Sequence, residues 1–311
     1  MKTWAIYKPC RLISTFSIVA YDPSTKDLGV AVQSRYFSVG SIVPWAEANV
    51  GAIATQSFVN VSYGPRGLQL LKQGLTVDKV IDRLTRDDEA KDFRQLGIVD
   101  SKGNAATFTG KKCLEWAGSR IGKNYAVQGN ILAGKNVVNK IAEKFESTRS
   151  DLADKLVAAL EGGQEAGGDA RGRQSAALLV VRKNYGRAGY GNRYIDLRVE
   201  DNPNPIAELK RLLNLHRVYS LIDESEDQLT KGNLEAALSA IKKAISLNQK
   251  IDDAHIDLGI ISLKLGRKEE AIKAFKKALR LNPKMKTLIK QLPTVGLIEP
   301  NKEIFAELEI L

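Results

Sequence analysis

Histidine and cysteine are nearly absent from this 311-residue chain, which has two of each: His216, His255, Cys10 and Cys113. Two cysteines cannot make a disulfide framework, and two histidines cannot build a histidine-based metal site. No metal and no cofactor is expected. Aromatic residues are few, at 6%. No apolar run approaches the ~18 residues of a membrane span. Lys2, Lys8 and Arg11 give the N-terminus a basic character, but Pro9 and Arg11 interrupt any signal-peptide core. These absences imply a cytoplasmic protein with no membrane partner. The formal net charge is +11, yet there is no Lys/Arg run of the kind that marks a nucleic-acid arm. The excess reads as solubilising surface charge, not as a nucleic-acid site. Apolar content of 43% and charged content of 27% are ordinary for a globular chain, and the length allows two domains.

What is present begins at Thr15. The segments 16–22 and 28–34 are rich in β-branched residues and flank a PSTKD turn, so they predict a hairpin. Residues 41–46 and 51–57 predict two further strands. Apolar residues on both faces suggest a sheet covered on both sides. Helices are expected over 64–73 and 77–86, the second capped by Thr76. Strands follow at 93–99, 104–109 and 124–128, then helices at 135–146 and 151–160. The last strands, 175–183 and 193–199, are joined by a Gly-rich hairpin. Helices in pairs between groups of antiparallel strands suggest two stacked sheets with helices outside, an α+β architecture. No P-loop or Rossmann spacing is present; the Gly-rich stretch 162–174 has neither.

The composition shifts sharply at Asp201-Asn-Pro-Asn-Pro205. Three segments are therefore expected: 1–14, a leader or a misassigned start; 15–203, an α+β domain; and 204–311, a helical domain. The helical part repeats with a period of 34 residues, over about 218–251 and 252–285, after a helix at 206–217. Gly232 aligns with Gly266, Ala237 with Ala271 and Lys242-Lys243-Ala244 with Lys276-Lys277-Ala278. This period resembles the tetratricopeptide repeat, a protein-interaction module, with Leu258, Gly259, Ala271, Phe275, Ala278 and Pro283 as pattern residues. Glu224 and Ser225 replace the Leu-Gly pair in the first copy. The expected partner is another protein or a second copy of the chain. Lys273, Lys276, Lys277 and Arg280 read as a solvated face, with a groove for an acidic partner as the alternative.

Thr15 leads the candidate chemistry. A threonine hydroxyl needs an adjacent base to act as a nucleophile. At a chain terminus its own α-amine, with a reference pKa of about 7.7–8.0, supplies one. The bland reading of Thr15 is a strand-forming residue. Ser34 and Arg35 end the strand paired with the Thr15 strand; Arg35 can hold a substrate carboxylate or be a surface residue. Gln56, Ser57, Asn60 and Asn130 end strands with polar groups that can donate to an oxyanion or to substrate, or cap turns. Asp169, Arg171 and Arg173 precede a buried strand and form either a structural ion cluster or an anion site. Cys113 lies beside two lysines but no histidine, and reads as a packed thiol.

The blocks TFSIVAYDP, LGVAVQSR, VGSIVPWAEANVGAIATQS, NVSYGPRGL, FTGKKCLEWAG, VQGNILAG and GGDARGRQSAALLV resemble, in order, the family catalogued as domain of unknown function 1028, from about Thr15 to His216. That resemblance implies membership of the N-terminal nucleophile (Ntn) hydrolases and a four-layer αββα sandwich, followed here by an all-α tetratricopeptide domain. It implies an amidohydrolase acting on a small amide or peptide bond, with Thr15 as nucleophile once residues 1–14 are removed. Ser34, Arg35, Gln56 and Asn130 would serve catalysis; Asn60, Asp169, Arg171 and Arg173 would bind substrate. The proteasome-like branch places an acidic residue and a lysine near its threonine, where this hairpin carries Gln33, Ser34 and Arg35. The alternative is a non-catalytic scaffold, or a ligand-binding protein, with a protein-interaction module.

Overall fold

The computed structural model describes residues 15–185 and 191–309. Residues 1–14, with Cys10, and the centre of the Gly-rich hairpin lie outside them. Two compact units follow one another: one ends at Leu212 and the other runs Leu213–Leu311.

The first unit is a mixed α+β structure with two antiparallel sheets. One sheet takes β1 (Thr15–Tyr21), β2 (Leu28–Ser34), β7 (Gly118–Gly122), β8 (Tyr125–Asn130), β9 (Ser175–Val181) and β10 (Arg193–Val199), in the order β10-β9-β2-β1-β8-β7. The other takes β3 (Pro44–Glu47), β4 (Gly51–Ser57), β5 (Arg94–Asp100) and β6 (Ala105–Thr109), in chain order. Helices α1 (Tyr63–Lys72) and α2 (Val77–Arg86) lie on the second sheet. There Tyr63, Leu68, Val80, Ile81 and Leu84 share a core with Ile53, Leu96 and Ile98. Helices α3 (Lys135–Ser147) and α4 (Leu152–Glu165) pack against the first sheet.

Strand alternation decides which side chains meet between the sheets. On β1, Phe16 and Ile18 face the helices, whereas Thr15, Ser17 and Val19 face inward. Far from Thr15 the interior is apolar: Val19, Leu28, Val30, Ala52, Ala54, Val99 and Ala126 form one cluster. Near Thr15 it turns polar.

The structure departs from the sequence expectations at several points. Thr76 precedes α2 with extended backbone, but its side chain makes no cap hydrogen bond. Strand β7 was not expected; it is a half-exposed edge strand whose sequence, GSRIG, has no apolar alternation. The strand expected at 41–46 starts only at Pro44, because a 3₁₀ turn occupies Val39–Ser41. The helix expected at 206–217 instead runs unbroken as α5 (Pro205–Thr230), since no Gly or Pro interrupts 206–230.

The second unit continues α5 with α6 (Leu234–Leu247), α7 (Asp252–Lys264), α8 (Lys268–Leu281), α9 (Met285–Gln291) and α10 (Lys302–Glu307). Gly259 lets α7 approach α8 closely: a Cβ there would lie 2.4 Å from the Phe275 ring. In the first copy Ser225 takes the glycine position and Ile241 the phenylalanine position. The smaller Ile241 leaves room for the serine, whose hydroxyl donates to Ala237 O at 2.9 Å. Ile289, Leu292, Ile298, Ile304 and Leu308 close the other side of the Phe275 core. The C-terminal segment thereby supplies the packing that a third repeat would give.

Candidate active site

Strand register assembles the site. Thr15 pairs with Ser34 on one side and Asn130 on the other, and Ser34 pairs with Ser175. One inward-facing row thus reads Asn130, Thr15, Ser34, Ser175 across four strands. The next row places Ser17 beside Gln128. Gln56 and Gln95 project onto these rows from the facing sheet. All eight are buried.

Neutral hydrogen bonds knit the rows together. Thr15 Oγ1 donates to Ser34 Oγ at 3.4 Å. Ser17 donates to Gln56 Oε1 at 2.6 Å and accepts from Gln128 Nε2 at 2.7 Å. Gln56 Nε2 reaches Gln95 Oε1 at 2.9 Å, with longer contacts to Thr15 O and Gln128 O. Asn130 Nδ2 donates to the same Gln95 Oε1 at 2.9 Å, and Gln95 Nε2 donates to Gly129 O at 2.8 Å. Gly97 makes the approach of the sheets possible here, because a Cβ on it would come within 1.9 Å of Gln128 Oε1. None of these eight side chains is acidic or basic.

Charge stands at the rim instead. Asp169 is buried, and its carboxylate accepts from the backbone N–H groups of Arg35 and Arg171, each at 2.9 Å, and from the Arg171 guanidinium at 3.0 Å. It therefore holds the chain leaving β2 to the loop entering β9. The Arg35 guanidinium is exposed and donates to Gln174 Oε1 at 2.6 Å. Arg173 reaches away to Asn204 at 2.8 Å.

Asn60 sits apart, in a second polar cluster. It donates to Asp88 at 3.1 Å beside Tyr63, and Arg94 pairs with the same carboxylate at 3.0 Å. The structure thus brings Thr15, Ser34, Arg35, Gln56, Asn130, Asp169 and Arg171 to one end of the sheets, and holds Asn60 and Arg173 in other bonds. Cys113 is buried, which pushes its thiol up; its Sγ donates to Arg94 O at 3.3 Å. Sequence reasoning missed Ser17 and Gln95 as members of the network, while Gln128 stood in the strand end Gln128-Gly129-Asn130 that it did single out. For Ser17 the signal was there: polar residues stand two apart on β1 (Thr15, Ser17), as they do on β8 (Gln128, Asn130), in otherwise apolar strands. Among the described residues no group of three or more His, Cys, Asp or Glu is gathered as metal ligands, and no helix is long and apolar enough to cross a membrane.

Two antiparallel sheets joined by a buried polar seam, followed by paired helices, define an α+β protein with a tetratricopeptide region. A model described as Family of unknown function (DUF1028) matches residues 15–209, and the chain belongs to that family. A tetratricopeptide repeat model matches residues 252–285. Among solved structures, the crystal structure of protein SPO2555 from Silicibacter pomeroyi, assigned to the same family, is similar. It has 31% identity and a TM-score of 0.59, over 64% of this chain and 84% of that chain. No curated protein matches.

Proposed function

We propose that this chain is an Ntn-type amidohydrolase that cleaves a small amide or peptide bond, with Thr15 as nucleophile after residues 1–14 are removed. On this reading the two sheets and their helix pairs form the four-layer αββα sandwich of that superfamily. The observation that carries the proposal is the position of Thr15. It opens a central strand, its hydroxyl faces the seam between the sheets, and Ser34 Oγ and Asn130 flank it.

In the proposed reaction Thr15 Oγ1 attacks the amide carbonyl while its freed α-amine takes the hydroxyl proton. The oxyanion is steadied by Asn130, held in place through Gln95. Gln56 is less suited to that role, since its amide donor already serves three acceptors. The C–N bond then breaks as the proton passes to the departing nitrogen. Water releases the acyl group from Thr15 and restores the hydroxyl. With no ionisable side chain in the seam, the α-amine is the titrating group, so activity should rise as pH passes its reference range of about 7.7–8.0.

Intact-mass analysis of the purified protein tests the first step, with loss of residues 1–14 expected. A form beginning at Thr15 should hydrolyse simple amides, and its Thr15→Ala variant should not. A chain that stays full length, together with an inert Thr15-initiated form, refutes the proposal.

A second reading has its own observation. The seam's amides bond chiefly to one another and to strand carbonyls, as in a scaffold, and the repeat at 252–285 belongs to a class of protein-interaction modules. A non-catalytic scaffold would leave every phenotype intact in Thr15→Ala and lose partner binding when Phe275 is replaced.

A further inference from the structure

The geometry points to a specific substrate class for this site: amides with an apolar arm of several carbons and a free carboxylate. The inference rests on the hydrolase reading for its chemistry, though not for its binding pattern.

Topology gathers particular loops at the Thr15 end of the sheets. Strands β2, β4 and β8 end there, while β7 and β9 begin there. Four large apolar side chains of the first unit are markedly exposed among the described residues: Phe37, Val61, Leu114 and Ile121. Ile121 lies on the edge strand, but the other three occupy these end loops. Phe37 is 62% exposed and follows β2; Leu114 is 49% exposed, and its carbonyl accepts from Ile131 N, just past Asn130, at 3.1 Å. Val61 follows β4. Water-facing apolar groups collected at one end of one unit are more informative than the same groups scattered.

The charge of the substrate follows from the seam. Its eight side chains are neutral, so a ligand charge buried among them would meet no side-chain counter-charge and would cost several kcal/mol. A charged substituent must stay at the rim. Arg35 is one residue beyond Ser34, the partner of Thr15; its backbone N–H serves Asp169, but its guanidinium has no acidic partner among the described residues and bonds a neutral amide. Arg171, by contrast, is committed to Asp169. Two acidic groups share this end: Asp201 accepts from the Gln174 amide that Arg35 bonds, and Glu115 follows Leu114; neither forms an ion pair with the Arg35 guanidinium among the described residues. A carboxylate is thus the charge that the nearest rim group attracts, as a guanidinium can bind it in bidentate fashion.

Calorimetric binding to the full chain tests this with three probes: N-octanoylglycine, its neutral amide N-octanoylglycinamide, and N-acetylglycine. N-octanoylglycine should bind at least tenfold more tightly than either of the others. Arg35→Gln should erase the preference for the acid over the amide, while Arg35→Lys keeps part of it. Leu114→Ser with Phe37→Ser should erase the preference for octanoyl over acetyl. Equal binding of the three probes, no binding at all, or an Arg35→Gln variant that still prefers the acid overturns the inference. Turnover of the same probes by the form beginning at Thr15 separates the two proposals. Selective binding without any turnover sinks the hydrolase reading and leaves the ligand class standing. Turnover of neutral, short amides with no preference sinks the ligand class and leaves the hydrolase.

Discussion

The Asp88 carboxylate is held by three side chains: Arg94, Tyr63 and Asn60. Burial alone would raise its pKa, but the hydrogen bonds from Arg94, then Tyr63 and Asn60, outweigh it and hold the group at about 2, against an ordinary 3.8. A carboxyl depressed on folding adds stability above the unfolded value, and that stability is lost as pH falls through the folded one. Asp88→Asn should therefore cost about 3 kcal/mol at pH 7, because it leaves Arg94 buried without its counter-charge. The gap to wild type should narrow below pH 3.8 and be mostly gone near pH 2, as read from urea midpoints at each pH. Gln33 is the opposite case. It faces the helix side of β2, is fully buried, and neither amide atom has a partner among the described residues. An unsatisfied buried amide costs about 1–3 kcal/mol. Gln33→Met, close in shape, should stabilise the protein by about that amount; a loss of stability in the same denaturation experiment would show that the amide does bond. The sequence placed Gln33 in the site hairpin, but strand parity turns it to the other face, away from Thr15.

Elements that bury a patterned face were legible in the chain, and those that do not were hidden. Hairpin β1–β2 announced itself by apolar residues on both faces, and helices α2 and α3 by helical spacing, because each pattern is the same thing as a covered face. Strand β7 had no such face to display. The long α5 could not be divided correctly because the repeat period marks equivalent positions, not helix ends. The polar seam was half legible: strand-end residues such as Gln56 and Asn130 drew attention, whereas Gln95 becomes meaningful only when β5 faces β8. That facing depends on Gly97. Gly97→Ala should drive a methyl into the Gln128 amide, with an expected cost of about 1–3 kcal/mol. It should also break the bond from Gln128 to Ser17. Loss of the corresponding protected amide-proton signals in NMR, together with a lower melting temperature, would check it. A variant as stable as wild type would mean that the sheets shift apart at little cost.

At the scale of the whole molecule, the chain carries separate cores. Val19, Val30, Ala54 and Val99 belong to the first unit, while Ile256, Ile260, Phe275 and Ile289 belong to the second. The compact units part at Leu212, inside α5, which runs through without a breaker. Separate cores make a thermodynamic prediction. Phe275 is fully buried between α7 and α8, so Phe275→Ala should cost about 3–5 kcal/mol of the second unit's stability through the cavity it leaves. Asp88→Asn acts on the first unit. Distant sites without shared partners add within about 0.5 kcal/mol. Calorimetric scans should therefore show Phe275→Ala lowering one transition and Asp88→Asn lowering another, with the double variant lowering both by the single-variant amounts. A single transition shifted by either change would mean that the two cores unfold as one cooperative body, and that the tetratricopeptide region contributes to the stability of the sheets that hold Thr15.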